Sequence, residues 1–252
     1  MIHFAAKTLT PAARRGAVWA ALSLLCVMLA LAAAERPLAY GIPMHEAITA
    51  AALACLRNDG RERTALVFQN YLSDLHRGSY DADYSRGTFM NQTIASMTHF
   101  YDPATGRGFL LSRRTAASLC RERYISALRK WRAGDRSSAS YDLGWAVHLL
   151  QDLTIPHHTR ADTGPRTHAE YEAFLDREGS AWLATEGGIY ADKEPETWIH
   201  DNAAAAAGYW YLFEGRGTPD FATAGRELVP LAVRTTAGML EGFMARAESE
   251  AG

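Results

Sequence analysis

The sequence predicts an all-α fold in a single multi-helix domain. Long stretches place apolar residues at helical spacing, while no segment shows the strict alternation typical of half-buried β-strands and no internal repeat occurs. With 252 residues, of which 48% are hydrophobic and 21% charged, the chain can build one packed domain of ordinary size. We expect this domain to span residues 35–252.

The first 34 residues differ from the rest in composition. Lys7, Arg14 and Arg15 precede the apolar run AVWAALSLLCVMLALAAA, and no acidic residue occurs before Glu35. This pattern is typical of a secretory signal peptide with an Ala-x-Ala cleavage site, and an uncleaved membrane anchor is the alternative. Residues 1–34 are therefore predicted to be removed, which indicates a secreted or periplasmic protein.

The net charge of the mature chain bears on its partners, and its cysteines bear on whether it contains a disulfide. Removal of residues 1–34 leaves 23 basic and 28 acidic residues, a net charge of −5. This balance argues against a stable nucleic-acid partner, because such binding depends on phosphate neutralisation by basic residues. Cys55 and Cys120 remain after cleavage, and the sequence leaves open a disulfide or two buried free thiols.

The first half of the mature chain is predicted to contain two helices followed by loops. MHEAITAAALACL (44–56) ends at the turn NDG, and RERTALVFQNYLSDL (61–75) ends before Arg77 and Gly78. Residues 76–112 carry no sustained period and contain the turn-rich stretches YDADYSRG and HFYDPATGRGF. We therefore expect loops there.

The second half reads as further helices. Residues 113–134 form a long amphipathic pattern that stops at a glycine. Ser137 and Ser138 can cap the next helix, SASYDLGWAVHLLQDL, which must end before Pro156. The remaining helices are predicted at about residues 167–184, 196–213 and 224–248.

Histidines and carboxylates concentrate around HLLQDLTIPHH (148–158). His148 and Asp152 are four residues apart, so both side chains project from one face of a helix, and His168 and Glu172 repeat this spacing. One such pair alone is typical of an ordinary surface pair. Their concentration indicates a metal site, and imidazole and carboxylate ligands without thiolates suit zinc in a hydrolytic role.

The inventory of ligands divides into sets. His158, His168 and Glu172 would supply three protein ligands and leave a position open. A second set is headed by His148 and Asp152 and needs two more members, which the predicted loops offer as Asp83 and His99; His45, at the start of the first helix, can share a second oxygen of Asp152. A bridging carboxylate implies adjacent metals, which is typical of phosphodiester hydrolases.

These segments resemble the bacterial zinc-dependent phospholipases C. GWAVHLLQDLTIPHH is similar to that family's signature in the spacing of His148, Asp152, Pro156 and His158. HFYDPATGRGF resembles the family's loop that begins with a zinc-binding histidine. The resemblance continues through the pair DY at 83–84, HAEYEAFLD, ETWIHDNAAAAA and the last helix, and so covers nearly the whole mature chain.

The resemblance implies an all-α domain with three zinc ions, of which we expect two to three here. One zinc would be held by Asp83, His99, His148 and Asp152, a second by His158, His168 and Glu172, and the third by His45 with the bridging Asp152. In the family, the amino group of a first mature tryptophan completes the third site. This chain departs there, because cleavage leaves Glu35 first and the match to a Trp-Gly start is Tyr40-Gly41.

The resemblance also implies roles in catalysis. Asp83 is the candidate general base or water-orienting group, since a carboxylate at the metal lies beside the attacking water. Tyr84 matches an aromatic residue that contacts choline, but Ser96 stands where a phenylalanine is expected. Thr159 and Ala161 replace the small residue and the asparagine that follow the family's last signature histidine.

The implied function is that of a secreted, monomeric phospholipase C with transient contact to a membrane surface. It would hydrolyse the glycerol–phosphate bond of phosphatidylcholine-like lipids to diacylglycerol and a phosphorylated headgroup. An S1/P1-type zinc nuclease is the alternative, although HAEYE ends in Glu where those nucleases tend to have Asp. A zinc-binding protein without turnover is the third possibility.

Overall fold

The computed structural model describes residues 41–84, 97–160, 167–214 and 218–249, and it confirms the all-α prediction. No strand occurs in these ranges, where Asp102 and Arg107 form one isolated bridge. The segment predicted as a signal peptide lies outside them. The α-helices are α1 (Ile42–Asn58), α2 (Glu62–Asn70), α3 (Leu72–Asp83), α4 (Ala116–Arg132), α5 (Arg136–Asp152), α6 (Thr167–Glu178), α7 (Pro195–Ala207) and α8 (Phe221–Ser249).

Side-chain caps set the bounds of α4 and α5. The Thr115 hydroxyl accepts a hydrogen bond from the backbone N–H of Ser118, and the backbone N–H of Thr115 donates one to the Ser118 hydroxyl, which makes a capping box at the start of α4. Gly134 follows α4 with φ of +87°, a conformation that favours glycine and ends the helix as predicted. The prediction that Ser137 or Ser138 caps α5 is wrong, because the Asp135 carboxylate accepts the N–H of Ser138.

The predicted helix 61–75 and the predicted loop after it are corrected by the structure. The helix breaks at Tyr71, and α3 continues to Asp83, so residues 76–83 are helical. Their apolar period is weak because α3 buries small side chains, such as Gly78, Ser79 and Ala82, in place of large apolar ones. Small residues bury little area, so a pattern of hydrophobicity does not reveal the face they form.

Two predicted helices are shorter than expected. The helix predicted over 167–184 ends at Glu178 and gives way to a 3-10 turn over Gly179–Trp182. The helix predicted over 196–213 ends at Ala207, and a second 3-10 turn spans Trp210–Leu212. In both cases a glycine follows the last helical residue, and glycine can leave the helical conformation with little conformational strain.

Helix α5 is central to the fold. Its residues from Asp142 to Asp152 are all buried, and it packs against α3 and α4, while α8 packs against α1 and α4 against α7. A helix buried on all faces must satisfy its polar side chains within the protein. The buried histidine and carboxylate of α5 therefore require partners at its carboxyl end.

Helices α3 and α5 meet backbone to backbone. A Cβ atom on Gly78 would overlap the carbonyl oxygen of Tyr141, and one on Gly144 would overlap the carbonyl oxygen of Leu75. Only glycine permits so close an approach. Because Asp83 lies five residues beyond Gly78 and His148 lies four beyond Gly144, this contact brings the two polar ends together.

Two further features concern cysteines and apolar helices. Cys55 and Cys120 are both buried and free, so the structure favours free thiols over the disulfide that the sequence left open. Burial, followed by the neighbouring Asp59 carboxylate, raises the pKa of Cys55 to about 11, and burial also raises the pKa of Cys120. Within the described ranges, none of the helices combines the length and apolar character that a bilayer crossing requires.

Candidate metal centre

The carboxylate of Asp152, at the end of α5, lies between histidines on both sides. Its Oδ1 is 3.3 Å from Nε2 of His45 on α1. Its Oδ2 is 2.8 Å from Nδ1 of His99 and 3.3 Å from Nε2 of His148. All four side chains are buried, so the two oxygens of one carboxylate face two different sets of ring nitrogens. This is the arrangement that a carboxylate shared by two cations requires.

Asp83 completes the set around His99 and His148. Its Oδ1 lies 3.6 Å from Nδ1 of His99 and 3.5 Å from Nε2 of His148, and those two nitrogens are 3.4 Å apart. The sequence placed Asp83 in a loop, whereas it is the last residue of α3. A helix end that is fixed by the glycine contact with α5 holds this carboxylate more rigidly than a loop would.

A second cluster contains His158, His168 and Glu172. His168 and Glu172 are one turn apart on α6, with Nε2 and Oε1 separated by 2.6 Å. Nε2 of His158 lies 3.6 Å from the same oxygen, because Pro156 ends α5 and starts a 3-10 turn that carries this histidine inward. The three side chains are buried.

The donor atoms fit divalent cations. In each of three groups, one donor atom per residue lies within 4.8 Å of the others: His45 with His148 and Asp152, Asp83 with His99 and His148, and His158 with His168 and Glu172. Both Asp152 oxygens, Nε2 of His158 and Oε1 of Glu172 are buried and make no hydrogen bond. Polar atoms buried in this way are costly, and a bound cation satisfies them.

The electrostatics of the second cluster favour a cation. Burial raises the pKa of Glu172 to about 8 and lowers the pKa of His168 to about 3. Burial therefore favours the neutral form of each side chain, even though the two are in contact. A divalent cation would restore the carboxylate and keep the imidazole neutral, which is the form that binds metals.

The first cluster is more strongly charged. Burial by itself lowers the pKa of His148, but the carboxylates of Asp152 and Asp83 reverse this and raise it to about 10. Burial likewise opposes ionisation of Asp152, but the charge of His148 and the proximity of His45 and His99 outweigh it and lower the Asp152 pKa well below its usual value. A buried carboxylate pair among three histidines thus retains negative charge, which suits a cation.

The ring nitrogens on the far side of three histidines are anchored. The Nδ1–H of His45 donates to Oε1 of Gln151 over 2.6 Å, and Nδ1 of His148 lies 3.3 Å from the Ser79 hydroxyl. Nδ1 of His158 donates to the carbonyl oxygen of His99 over 3.1 Å. Each of these contacts leaves Nε2 with its lone pair toward the cluster.

Sequence reasoning missed Gln151 and Ser79. Gln151 is wholly buried, and its amide nitrogen lies 3.1 Å from the hydroxyl of Thr49 and 3.3 Å from that of Thr236. These contacts place the amide oxygen toward His45. A glutamine next to Asp152 inside the apolar run LLQDL was the available signal, since a buried amide must find partners.

The other predicted site residues take these positions. The half-buried Tyr84 follows α3, and its ring stacks on that of Tyr80 at 4.9 Å between centroids. Thr159 is buried and donates its hydroxyl hydrogen to the carbonyl oxygen of Pro156. His157, the other histidine of the signature, stacks on His168 outside the three groups. Ser96, Ala161 and the predicted mature termini Glu35 and Tyr40 lie outside the described residues.

Comparison with known proteins identifies the family. A family model described as zinc dependent phospholipase C matches residues 44–211, a range that includes every predicted ligand from His45 to Glu172. The chain belongs to the zinc-dependent phospholipase C family. Zinc is therefore the cation that these thiolate-free clusters of imidazoles and carboxylates are suited to hold.

Relatives within this family are bacterial. The chain is 30% identical to a phospholipase C of Bacillus cereus over 153 residues, which are 58% of this chain and 53% of that protein. It is 27% identical over 238 residues to a phospholipase C of Paraclostridium bifermentans, covering 81% of this chain and 59% of that protein. The chain thus spans little more than half the length of these curated relatives.

A solved structure shares the fold. The alpha toxin from Clostridium absonum superposes with a TM-score of 0.72 at 19% sequence identity, and the match covers 82% of this chain and 64% of the toxin. At this level of identity the likeness concerns the arrangement of helices. The toxin thus shares the all-α fold described above.

Proposed function

We propose that this chain is a secreted phospholipase C that hydrolyses the glycerol–phosphate bond of phosphatidylcholine-like lipids. The products would be diacylglycerol and a phosphorylated headgroup. The observation that carries the proposal is the Asp152 carboxylate, whose two oxygens face separate sets of histidines. Relatives named phospholipase C in Bacillus cereus and Paraclostridium bifermentans support it.

We assign the proposed ligands to two to three zinc ions according to the clusters described above. The two adjacent sites that share Asp152 would be formed by His45, Asp83, His99, His148 and Asp152. The remaining site would be formed by His158, His168 and Glu172. Zinc bound there would polarise the phosphate and lower the pKa of an attacking water. The protein's own contribution is to hold these side chains in register in a buried, low-dielectric site.

Asp83 and Tyr84 carry the proposed roles next to the reacting phosphate. The Asp83 side chain is nearly buried, and its carboxylate lies beside His99 and His148, where it can orient a water and accept its proton. Tyr84 is the next residue, and its ring stacks on that of Tyr80. An aromatic face there suits a cationic headgroup.

Export is proposed from the composition of residues 1–34, and the mature enzyme is proposed to act as a monomer with transient contact to lipid. Amino-terminal sequencing of protein from the culture medium or periplasm tests the first point. A start at Glu35 or Tyr40 is expected. Recovery of the intact first residue in the membrane fraction would favour the anchor instead.

The central experiment compares substrates on zinc-loaded protein. Phosphatidylcholine should yield diacylglycerol and phosphocholine, and single-stranded DNA should remain intact. Asp83→Asn should lower the rate on lipid by at least about 100-fold. Asp81→Asn is a matched control, because Asp81 lies on the same helix but accepts a hydrogen bond from Tyr141 outside the cluster. Cleavage of DNA but not of lipid would refute the proposal.

A further inference from the structure

Two neighbouring leucines form an exposed tip between residues 100 and 115. Leu110 is 71% exposed and Leu111 is 64% exposed, and neither contributes to the core. Their φ angles are +50° and +62°, in the left-handed region that residues with a Cβ atom seldom occupy. Burial does not explain leucine at either position, and backbone preference would select glycine. Such outliers concentrate where a segment serves binding.

The segment around the Leu110–Leu111 tip is basic. Arg107, Arg113 and Arg114 flank it, and no acidic residue occurs between Asp102 and Glu122. Arg113 and Arg114 are exposed, and Arg114 reaches Glu122 at 3.4 Å in a pair that is open to solvent. The sign of this charge is opposite to the net charge of the chain. Exposed apolar side chains among arginines are typical of segments that enter the interface of an anionic membrane.

The tip borders a cavity whose lining includes the two residues that follow the proposed ligand His158. The cavity has a volume of about 620 Å³, and Leu110 and Leu111 line it together with Thr159, Arg160 and Trp210. Thr159 and Arg160 directly follow His158, so the cavity lies next to the second cluster. The Arg160 guanidinium lies over the Trp210 ring at 4.6 Å, and Tyr211, next in sequence, is 64% exposed.

We infer that the Leu110–Leu111 tip is a membrane anchor, which inserts into phospholipid bilayers that contain anionic lipid. The arginines beside it contact the headgroups, and the exposed ring of Tyr211 lies at the same interface. Insertion brings the cavity mouth against the bilayer, so that a lipid can reach the metal centre without crossing water. This inference rests on the proposed function and assigns the surface through which that function is exercised.

The test replaces both leucines by glycine. Glycine adopts positive φ without strain, so Leu110→Gly with Leu111→Gly should leave the melting temperature unchanged or raise it. Partition onto vesicles of phosphatidylcholine with phosphatidylglycerol should fall by about 100-fold or more if both leucines are fully transferred from water. Leu66→Ala is the matched control, because Leu66 is 53% exposed on α2. It should bind like the wild type.

A second variant isolates the role of charge. Arg113→Gln with Arg114→Gln should weaken partition onto the vesicles with phosphatidylglycerol and leave partition onto pure phosphatidylcholine unchanged. This contrast separates attraction to anionic headgroups from insertion of the leucines. Equal partition of the arginine variant and the wild type onto both vesicles would overturn the anionic preference.

Hydrolysis distinguishes failure of the anchor from failure of the proposed function. The glycine variant should lose much more of its rate on vesicle lipid than on monomeric short-chain phosphatidylcholine, because only the vesicle substrate requires insertion. Unchanged partition and unchanged vesicle hydrolysis would overturn the anchor while leaving the phospholipase intact. Partition that depends on the tip, in a protein that hydrolyses neither substrate, would support the anchor and refute the phospholipase.

Discussion

At the scale of single residues, Asp152 is the proposed ligand whose carboxylate lies between histidines on two sides. It is fully buried, it makes no hydrogen bond through either oxygen, and its oxygens face His45 on one side and His99 with His148 on the other. Asp152 is proposed to bind two cations, so its loss affects two sites. Glu172 contacts only the second cluster and is proposed to bind one cation.

Asp152→Asn is therefore expected to be more damaging than Glu172→Gln. An amide has one acceptor oxygen and no charge, so it cannot bridge, and the loss should exceed the ~10- to 100-fold that a change beside a single metal commonly causes. Zinc per chain and the rate on phosphatidylcholine are the measurements. Full zinc content and rate in Asp152→Asn would show that the carboxylate does not bridge.

Gln151 is expected to govern how tightly His45 binds zinc. Gln151→Met keeps the volume but removes the acceptor for the Nδ1–H of His45, so zinc affinity of one site should fall ~10- to 100-fold in a chelator competition. Gln151→Glu keeps an acceptor and should restore binding. Equal affinity in the wild type and in Gln151→Met would mean that His45 is oriented by other contacts.

At the scale of helices, the close contact of α3 and α5 positions the cluster. Gly78→Ala should separate the helices, with a cost of about 1–3 kcal/mol for overpacking, and should also lower zinc content because Asp83 moves with α3. Gly242→Ala is the control, since nothing lies near its Cβ position on α8 and alanine favours a helix. Urea unfolding and zinc analysis measure both effects. Normal zinc content in Gly78→Ala would show that the close contact of the two helices is not needed to position the metal ligands.

The end of α1 is tied to the segment before α7 by Asp59. Its carboxylate accepts hydrogen bonds from the N–H groups of Gly187 and Gly188 and from the Tyr190 hydroxyl, and these lower its pKa to about 2. Since the folded pKa lies below the unfolded value of ~3.9, the stabilisation is present above that value and is lost as pH falls toward 2.

Asp59→Asn is accordingly expected to lower the free energy of unfolding by about 1–3 kcal/mol at pH 7, the usual range for hydrogen bonds to a charged group. The difference from the wild type should shrink as the pH falls below 4, because the wild-type carboxyl then becomes neutral too. Urea unfolding of both proteins at pH 7 and pH 3 measures this. A difference that does not depend on pH would assign the effect to packing rather than charge.

Periodicity predicted the helices that bury large apolar faces, and it failed where helices bury small residues. Helix α5 was recognisable because apolar residues surround His148, and the i, i+4 pairs followed from its regular geometry. Helix α3 was missed because its contact with α5 depends on Gly78 and Gly144, whose value lies in lacking a side chain. The Leu110–Leu111 tip was missed because positive φ at leucine has no local sequence signal.

At the scale of the whole molecule, the metal clusters join helices that are distant in sequence. Ligands proposed on α1, α3, α5 and α6, with those on the short turns between them, come together in the clusters described above. Bound cations would therefore connect helices that are far apart in the sequence. The free energy of binding is then also free energy of folding.

Removal of zinc by a chelator is thus expected to abolish lipid hydrolysis and to lower the melting temperature of the whole domain. Elemental analysis of the mature protein should find two to three zinc ions per chain, since two sets are complete from side chains. The melting curve should recover when zinc is added back. One zinc or none in active protein would contradict the ligand assignment.

The spread of the ligands from His45 on α1 to Glu172 on α6 has a consequence for biogenesis. A chain that emerges from its amino terminus cannot close the first cluster before Asp152 has been made, nor the second before Glu172 has been made and folded. If the proposed export takes place before folding, the polypeptide crosses the membrane without metal. It would be inert inside the cell that makes it and would become active only where it folds, with zinc taken from that side of the membrane.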